Sequence, residues 1–179
     1  GLVGFYNPVG FQDFNTNDIL KKMSSKIIHR GPDDFGFWHN VESGIALSHR
    51  RLSILDLSLS GHQPMISHSG RYVIVYNGEI YNHIDLRQEI DSKVSVRWRG
   101  TSDTESLLEA IELWGLEQAL IKSVGMFAFA LWDRKEHSLS LARDRMGEKP
   151  LYYGWQKGNL LFGSELKALR AHPSFANEI

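Results

Sequence analysis

Two periods of apolar residues alternate along the chain, and between them they predict its elements. Leu2–Tyr6 is a short apolar run closed by the Asn7-Pro8 turn, which fits a strand lying inside the core from almost the first residue. Ile19, Leu20, Met23 and Ile27 then fall on one helical stripe, with Asn17 and Asp18 placed to cap it. After the break at His29-Arg30-Gly31-Pro32-Asp33 come three strand-like runs, Phe35–His39, Gly44–His49 and Arg71–Tyr76, separated by glycine, serine and asparagine.

Further on, Ser102-Asp103-Thr104-Glu105 has the form of a capping box ahead of Leu107, Leu108, Ile111 and Trp114, and Gly115 is placed to end that helix. Phe127–Trp132 and Ser138–Arg143 flank the polar stretch Asp133–Glu136 as the arms of a hairpin would. Leu151–Tyr153 and Leu160–Gly163 form a second such pair around Gly158-Asn159. Phe127, Phe129 and Leu131 share one face of their strand as core, while Trp132 covers the other. A last helix is predicted over Leu166–Ala171. Too few helices are present to cover a parallel sheet by repeated crossovers, so the expectation is an α+β fold of stacked antiparallel sheets enclosed by helices.

Composition narrows the function more than the fold. A chain of 179 residues can bury roughly 70% of its unfolded surface, and no repeat or low-complexity linker divides it, so residues 1–179 read as one domain. Twenty basic and twenty-one acidic residues give a formal charge of −1, which provides no electropositive footprint for nucleic acid or an anionic membrane. Apolar runs such as Met126–Trp132 fall far short of the roughly 20 residues that span a bilayer. Cysteine is absent, which removes disulfides and thiolate metal sites and fits a reducing compartment. With no signal peptide in view, the protein is expected to be cytoplasmic.

Three polar clusters interrupt the apolar pattern at the ends of predicted elements: Arg50–Ile54, Asn77–Asn82 and Thr101–Asp103. Taken singly each has an ordinary explanation, since Asn-Gly is a common turn, Ser-Asp a common cap and Arg-Arg a common solvated pair. Asn77-Gly78 departs from the hairpin pattern, because polar Glu79–Asn82 leads from it toward a helical stretch at Leu86–Ile90. An asparagine amide beside a glycine N–H supplies two donors for one oxygen, as the tetrahedral intermediate of acyl transfer requires. A guanidinium such as that of Arg51 can hold an α-carboxylate, and a carboxylate such as that of Asp103 an α-ammonium, so the pair suits a free amino acid.

Together the clusters are more specific. His29–Asp33, Arg51–Asp56, Asn77–Asn82, Ser102–Glu105, Gly125–Ala130, Arg143–Tyr153 and Ser164–Leu169, in that order, resemble the glutaminase domain of asparagine synthetases across nearly the whole chain. That family is a branch of the class II, N-terminal-nucleophile glutamine amidotransferases. The resemblance implies a four-layer αββα sandwich that hydrolyses the glutamine side-chain amide to glutamate and ammonia. The ammonia would be delivered to an ATP-dependent amidation site in a synthetase domain, in cis or in trans, which is absent from this chain. Residue by residue it implies that Arg51 binds the glutamine carboxylate and Asp103 the amino group. Asn77 and the Gly78 N–H would form the oxyanion hole, Leu52, Ile54 and Glu79 would complete the pocket, and Arg30 would steady the nucleophile. No cofactor is expected in this domain; ATP and Mg are expected only in the synthetase domain, and a homodimer is compatible with the family.

The family nucleophile is an N-terminal cysteine whose own α-amine shuttles the proton. Gly1-Leu2-Val3-Gly4-Phe5 matches the residues that directly follow it, so the cysteine is expected immediately before Gly1. The alternative is a domain that binds glutamine, or serves only as an interface, without chemistry. His39, His62 and His68 lack the clustered spacing of a zinc site, and no metal is expected.

Overall fold

The computed structural model describes residues 1–11, 15–52 and 61–176. Alternation of side chains along β1 (Leu2–Tyr6) already divides the core in two. Val3 and Phe5 pack outward against α1 (Thr16–Ser25) and α5 (Leu166–Leu169), while Leu2 packs inward among residues of a second sheet. The first sheet continues through β2 (Asp34–Asn40), β3 (Ile45–Arg51), β8 (Tyr152–Gln156) and β9 (Asn159–Gly163), in the order β2-β3-β1-β9-β8. The second holds β4 (Met65–Ile66), β5 (Tyr72–Ile80), β6 (Gly125–Asp133) and β7 (Ser138–Arg143) in chain order. Every described pairing is antiparallel.

The second sheet repeats the division. Val73, Val75, Ala130 and Trp132 meet Leu2, Ile45, Leu47 and Phe162 across the gap between the sheets. Ile74, Tyr76, Phe127, Phe129 and Leu131 face the other way, onto α2 (His83–Asp91), α3 (Asp103–Trp114) and α4 (Leu116–Lys122). The result is a four-layer αββα sandwich. A fully buried large apolar side chain contributes about 1.5–3 kcal/mol. The layer containing Trp132 and Phe162 therefore joins the sheets firmly and fixes the gap in which the site opens. Among the described residues no helix is long and apolar enough to cross a membrane.

Local expectations hold with shifted boundaries. Ser102 caps α3 by accepting from Thr104 N at 3.2 Å, and Gly115 ends the helix at φ 80°. Glu105 does not reach back to complete a capping box; it takes the N–H groups of Arg99 and Gly100 instead. Helix α1 starts at Thr16, so Asn17 and Asp18 lie in its first turn, and no side chain makes the cap bond. Both hairpins form, the second turning on Lys157 and Gly158, each at positive φ. The largest revision concerns β5, which runs through Asn77-Gly78 to Ile80 because β6 pairs with it along its whole length. A Cβ at residue 78 would collide with the β6 backbone at Met126 and Phe127, so glycine lets the strands stay together there. Neither α4 nor the two-residue β4 stands out in the apolar pattern. The predicted segment Ser53–Asp56 lies outside the described residues.

Candidate active site

At one end of the intersheet gap lies a cavity of about 510 Å³. Its walls include Arg30, Arg51, Leu52, Asn77, Gly78, Glu79 and Asp103, which are all the sequence-predicted site residues within the described set, together with Gly1. Ile54 lies outside that set. These residues come from β1, the 3-10 turn Ile28–Arg30, the end of β3, the middle of β5 and the first turn of α3. Among the described residues no three His, Asp or Glu side chains cluster as a metal ion would need.

Strand geometry aims the donors of β5. Phe127, the partner of Gly78, gives its N–H to Asp144 Oδ2 at 3.2 Å and accepts from Asp144 N at 2.7 Å. Both of its polar groups thus turn away from β5, and Gly78–Phe127 is a non-hydrogen-bonded pair of the ladder. The even-numbered residues of β5 direct their N–H groups to its other edge. There Tyr76 N donates to Gln63 Oε1 at 2.6 Å and Ile80 N to Asp103 Oδ2 at 2.9 Å. Between those two, Gly78 N–H points the same way, in the cavity wall. Asn77 shares the strand face of Val73 and Val75, so its side chain enters the intersheet gap. An amide side chain and a backbone N–H from consecutive residues therefore border one cavity.

Asp103 is 7% exposed and opens onto the same space. Its Oδ2 accepts from Tyr76 OH and Ile80 N, both at 2.9 Å, and its Oδ1 from Thr104 N at 2.9 Å. No cationic side chain pairs with it among the described residues, so its negative charge is hydrogen-bonded but not neutralised. Arg51 approaches from the opposite sheet, at the end of β3, where its backbone lies in register with Asp34 of β2. A Cβ at residue 61 would collide with its guanidinium, and Gly61 leaves the room it occupies.

The third corner is built around Gly1. Its nitrogen donates to Arg50 O at 2.6 Å, and Arg50 N donates back to Gly1 O at 2.8 Å, so β1–β3 pairing continues to the first residue. A Cβ on Gly1 would lie 2.9 Å from Arg30 Cδ and 3.3 Å from Ile27, on the helix-facing side of the sheet. Arg30 and Lys149 bring positive charge to this buried corner, with Glu165 opposing them. Arg30 is tied to Glu165, which also meets His29 at 2.7 Å and Lys167 at 2.9 Å. Burial disfavours the ionised carboxyl, but the hydrogen bonds from Lys167, His29 and Arg30 outweigh it and hold Glu165 down at about 2.

Several wall residues escaped the sequence reading. Gln63 lies between β5 and α3, donating to Thr104 Oγ1 at 3.4 Å as well as accepting from Tyr76. His49 is buried at the cavity wall, with its Nδ1 unpartnered among the described residues. Burial above all pushes its pKa well below the ordinary value and keeps the ring neutral. Lys149 comes from a turn whose N–H groups at Glu148 and Lys149 are held by Asp144. None of these has a local signal, because each sits in an ordinary turn or strand sequence.

The fold is shared with a glutamine phosphoribosylpyrophosphate amidotransferase from B. subtilis, with a TM-score of 0.78 at 19% identity, over 95% of this chain and 43% of that one. The sequence profile of the glutamine amidotransferase domain matches residues 1–179, and the chain belongs to that family. It is 41% identical over 171 residues to asparagine synthetase [glutamine-hydrolyzing] 1 of Bacillus subtilis (strain 168), covering 94% of this chain. The third synthetase of that strain is 40% identical over 171 residues, covering 92% of this chain. The chain spans about a quarter of the length of these relatives, 26% and 27% respectively.

Proposed function

We propose that this domain hydrolyses the side-chain amide of free glutamine and passes the ammonia to a synthetase domain of the same longer protein, resembling asparagine synthetase. One observation carries the proposal: Arg51, Asp103, Asn77 and Gly78 border one cavity, in chemistry that complements an α-amino acid bearing an amide. Arg51 takes the α-carboxylate and Asp103 the α-ammonium. Glu79 and the backbone at Leu52 complete the described part of the pocket.

Strand alternation supports a nucleophile immediately before Gly1. Gly1 faces the helix layer, so the side chain of a residue joined to its nitrogen would face the intersheet gap, in register with Arg51. A cysteine thiolate there attacks the amide carbon, and the oxyanion is met by Asn77 Nδ2–H and Gly78 N–H. The cysteine's own α-amine takes the thiol proton and gives it to the departing ammonia; water then cleaves the thioester to glutamate. An α-amine has an ordinary pKa of about 8, and burial beside Arg30 and Lys149 would favour its neutral, proton-accepting form. A reducing cytoplasm would preserve the thiol. ATP and Mg belong, in this reading, to the synthetase domain.

The relatives, at about 40% identity, bear glutamine-hydrolysing names, which favours this reading over a domain that only binds. The test is glutamate release by the full-length protein with cysteine ahead of Gly1. Asn77→Ala is expected to lower turnover roughly 100-fold or more, as removal of an oxyanion donor does elsewhere. Full activity in that variant would overturn the proposal.

A further inference from the structure

Tyr76 precedes Asn77 on β5, yet its side chain leaves the opposite face of the strand, into the apolar layer beneath α3. Its hydroxyl and its N–H are both engaged with residues that line the cavity. Its hydroxyl donates to Asp103 Oδ2 at 2.9 Å, and its N–H to Gln63 Oε1 at 2.6 Å. One residue therefore ties the strand carrying the oxyanion donors to the helix carrying Asp103 and to Gln63.

The hydroxyl matters most, because of what it leaves over on Asp103. A carboxylate offers about four acceptor positions. Tyr76 OH and Ile80 N take the two on Oδ2, and Thr104 N takes one on Oδ1. The remaining capacity is on Oδ1, in a carboxylate that borders the cavity and has no cationic partner among the described residues. Tyr76 is 3% exposed, and burial together with the Asp103 charge pushes its pKa well above the ordinary phenol value, so the group remains a donor at all working pH.

We propose that Tyr76 is a positioning residue for substrate recognition, its hydroxyl fixing the Asp103 carboxylate so that the free acceptor on Oδ1 meets the α-ammonium of an amino-acid substrate. The role rests on the glutamine reading above, but it assigns to Tyr76 a part that reading does not require. It acts on binding of the ground state, not on the departing ammonia.

The experiment is a double-mutant cycle in the full-length protein, with Tyr76→Phe, Asp103→Asn and the pair, following steady-state glutamine hydrolysis and thermal melting. Phenylalanine keeps the ring in the core and removes only the hydroxyl. Tyr76→Phe should raise KM roughly tenfold, the worth of a hydrogen bond to a charged group, with kcat within about twofold. The double variant should be no worse than Asp103→Asn alone, since Tyr76 acts through that carboxylate. Additive effects, an unchanged KM, or a fall in kcat alone would overturn the positioning role. A wild-type protein that releases no glutamate, or an Asp103→Asn variant with normal KM, would instead overturn the underlying glutamine reading.

Discussion

Glu165 and Asp103 are both carboxylates near the cavity, and they are held in opposite ways. Glu165 lies among His29, Arg30 and Lys167, so its charge is met by side chains of the protein itself. Asp103 is held by a hydroxyl and two backbone N–H groups, all of them uncharged. Neutral donors fix an oxygen's position, yet they leave its charge available to an incoming cation. A carboxylate already shared by cations has little left to offer a substrate; its effect is to position them. The comparison separates a group that recognises from a group that supports.

Changes on the β5 side should have the largest effects. Gly78→Ala forces a methyl group into the backbone of Met126 and Phe127, costing about 1–3 kcal/mol as overpacking does. Separation of the strands should abolish measurable glutamine hydrolysis while lowering the melting temperature, so a stable and active variant would break the picture of β5. Asp103→Asn removes a buried charge that faces the substrate, and KM for glutamine should rise roughly 30-fold or more. A KM within threefold of wild type would mean that the two carboxylates do not differ as described. Glu165→Gln should change KM less than about twofold, because the pairs it breaks are partly exposed and serve Arg30, and exposed pairs are worth ~0–1 kcal/mol.

The acid limb sharpens the same contrast. Glu165 titrates at about 2 in the fold, against an ordinary 4.5. Its folded pKa is the lower one, so its contribution to stability is present above pH 4.5 and is lost as pH falls from there toward 2. Glu165→Gln should therefore flatten the fall of melting temperature with acid across that window, measured against wild type by thermal melts at successive pH values. An unchanged slope would show that the cluster around Glu165 is not tied to folding.

Much of the molecule was legible along the chain, for reasons that differ by region. The alternation in Phe127–Trp132 and the turn residues around both hairpins are local signals, and both hairpins form where those signals place them. Ser102 and Gly115 bound α3 for reasons confined to a few residues. Asn77-Gly78 misled as the end of a strand, because pairing with β6 is a long-range contact that overrides the turn preference of the dipeptide. Glu105 misled as half of a capping box, since the N–H groups of Arg99 and Gly100 compete for its carboxylate.

The sequence by itself determined which side chains can bear the chemistry: a guanidinium at Arg51, a carboxylate at Asp103, and an amide beside a glycine at residues 77 and 78. Their order within a run of family motifs was enough to predict the class of fold. Only the tertiary structure decided that these groups share one cavity, that Gly78 N–H leaves the ladder on its open edge, and that Tyr76 joins three of the walls. The reason is physical: identity and local period are properties of neighbouring residues. The direction of a donor depends on which strand lies beside it, and that is settled by contacts far apart in the chain.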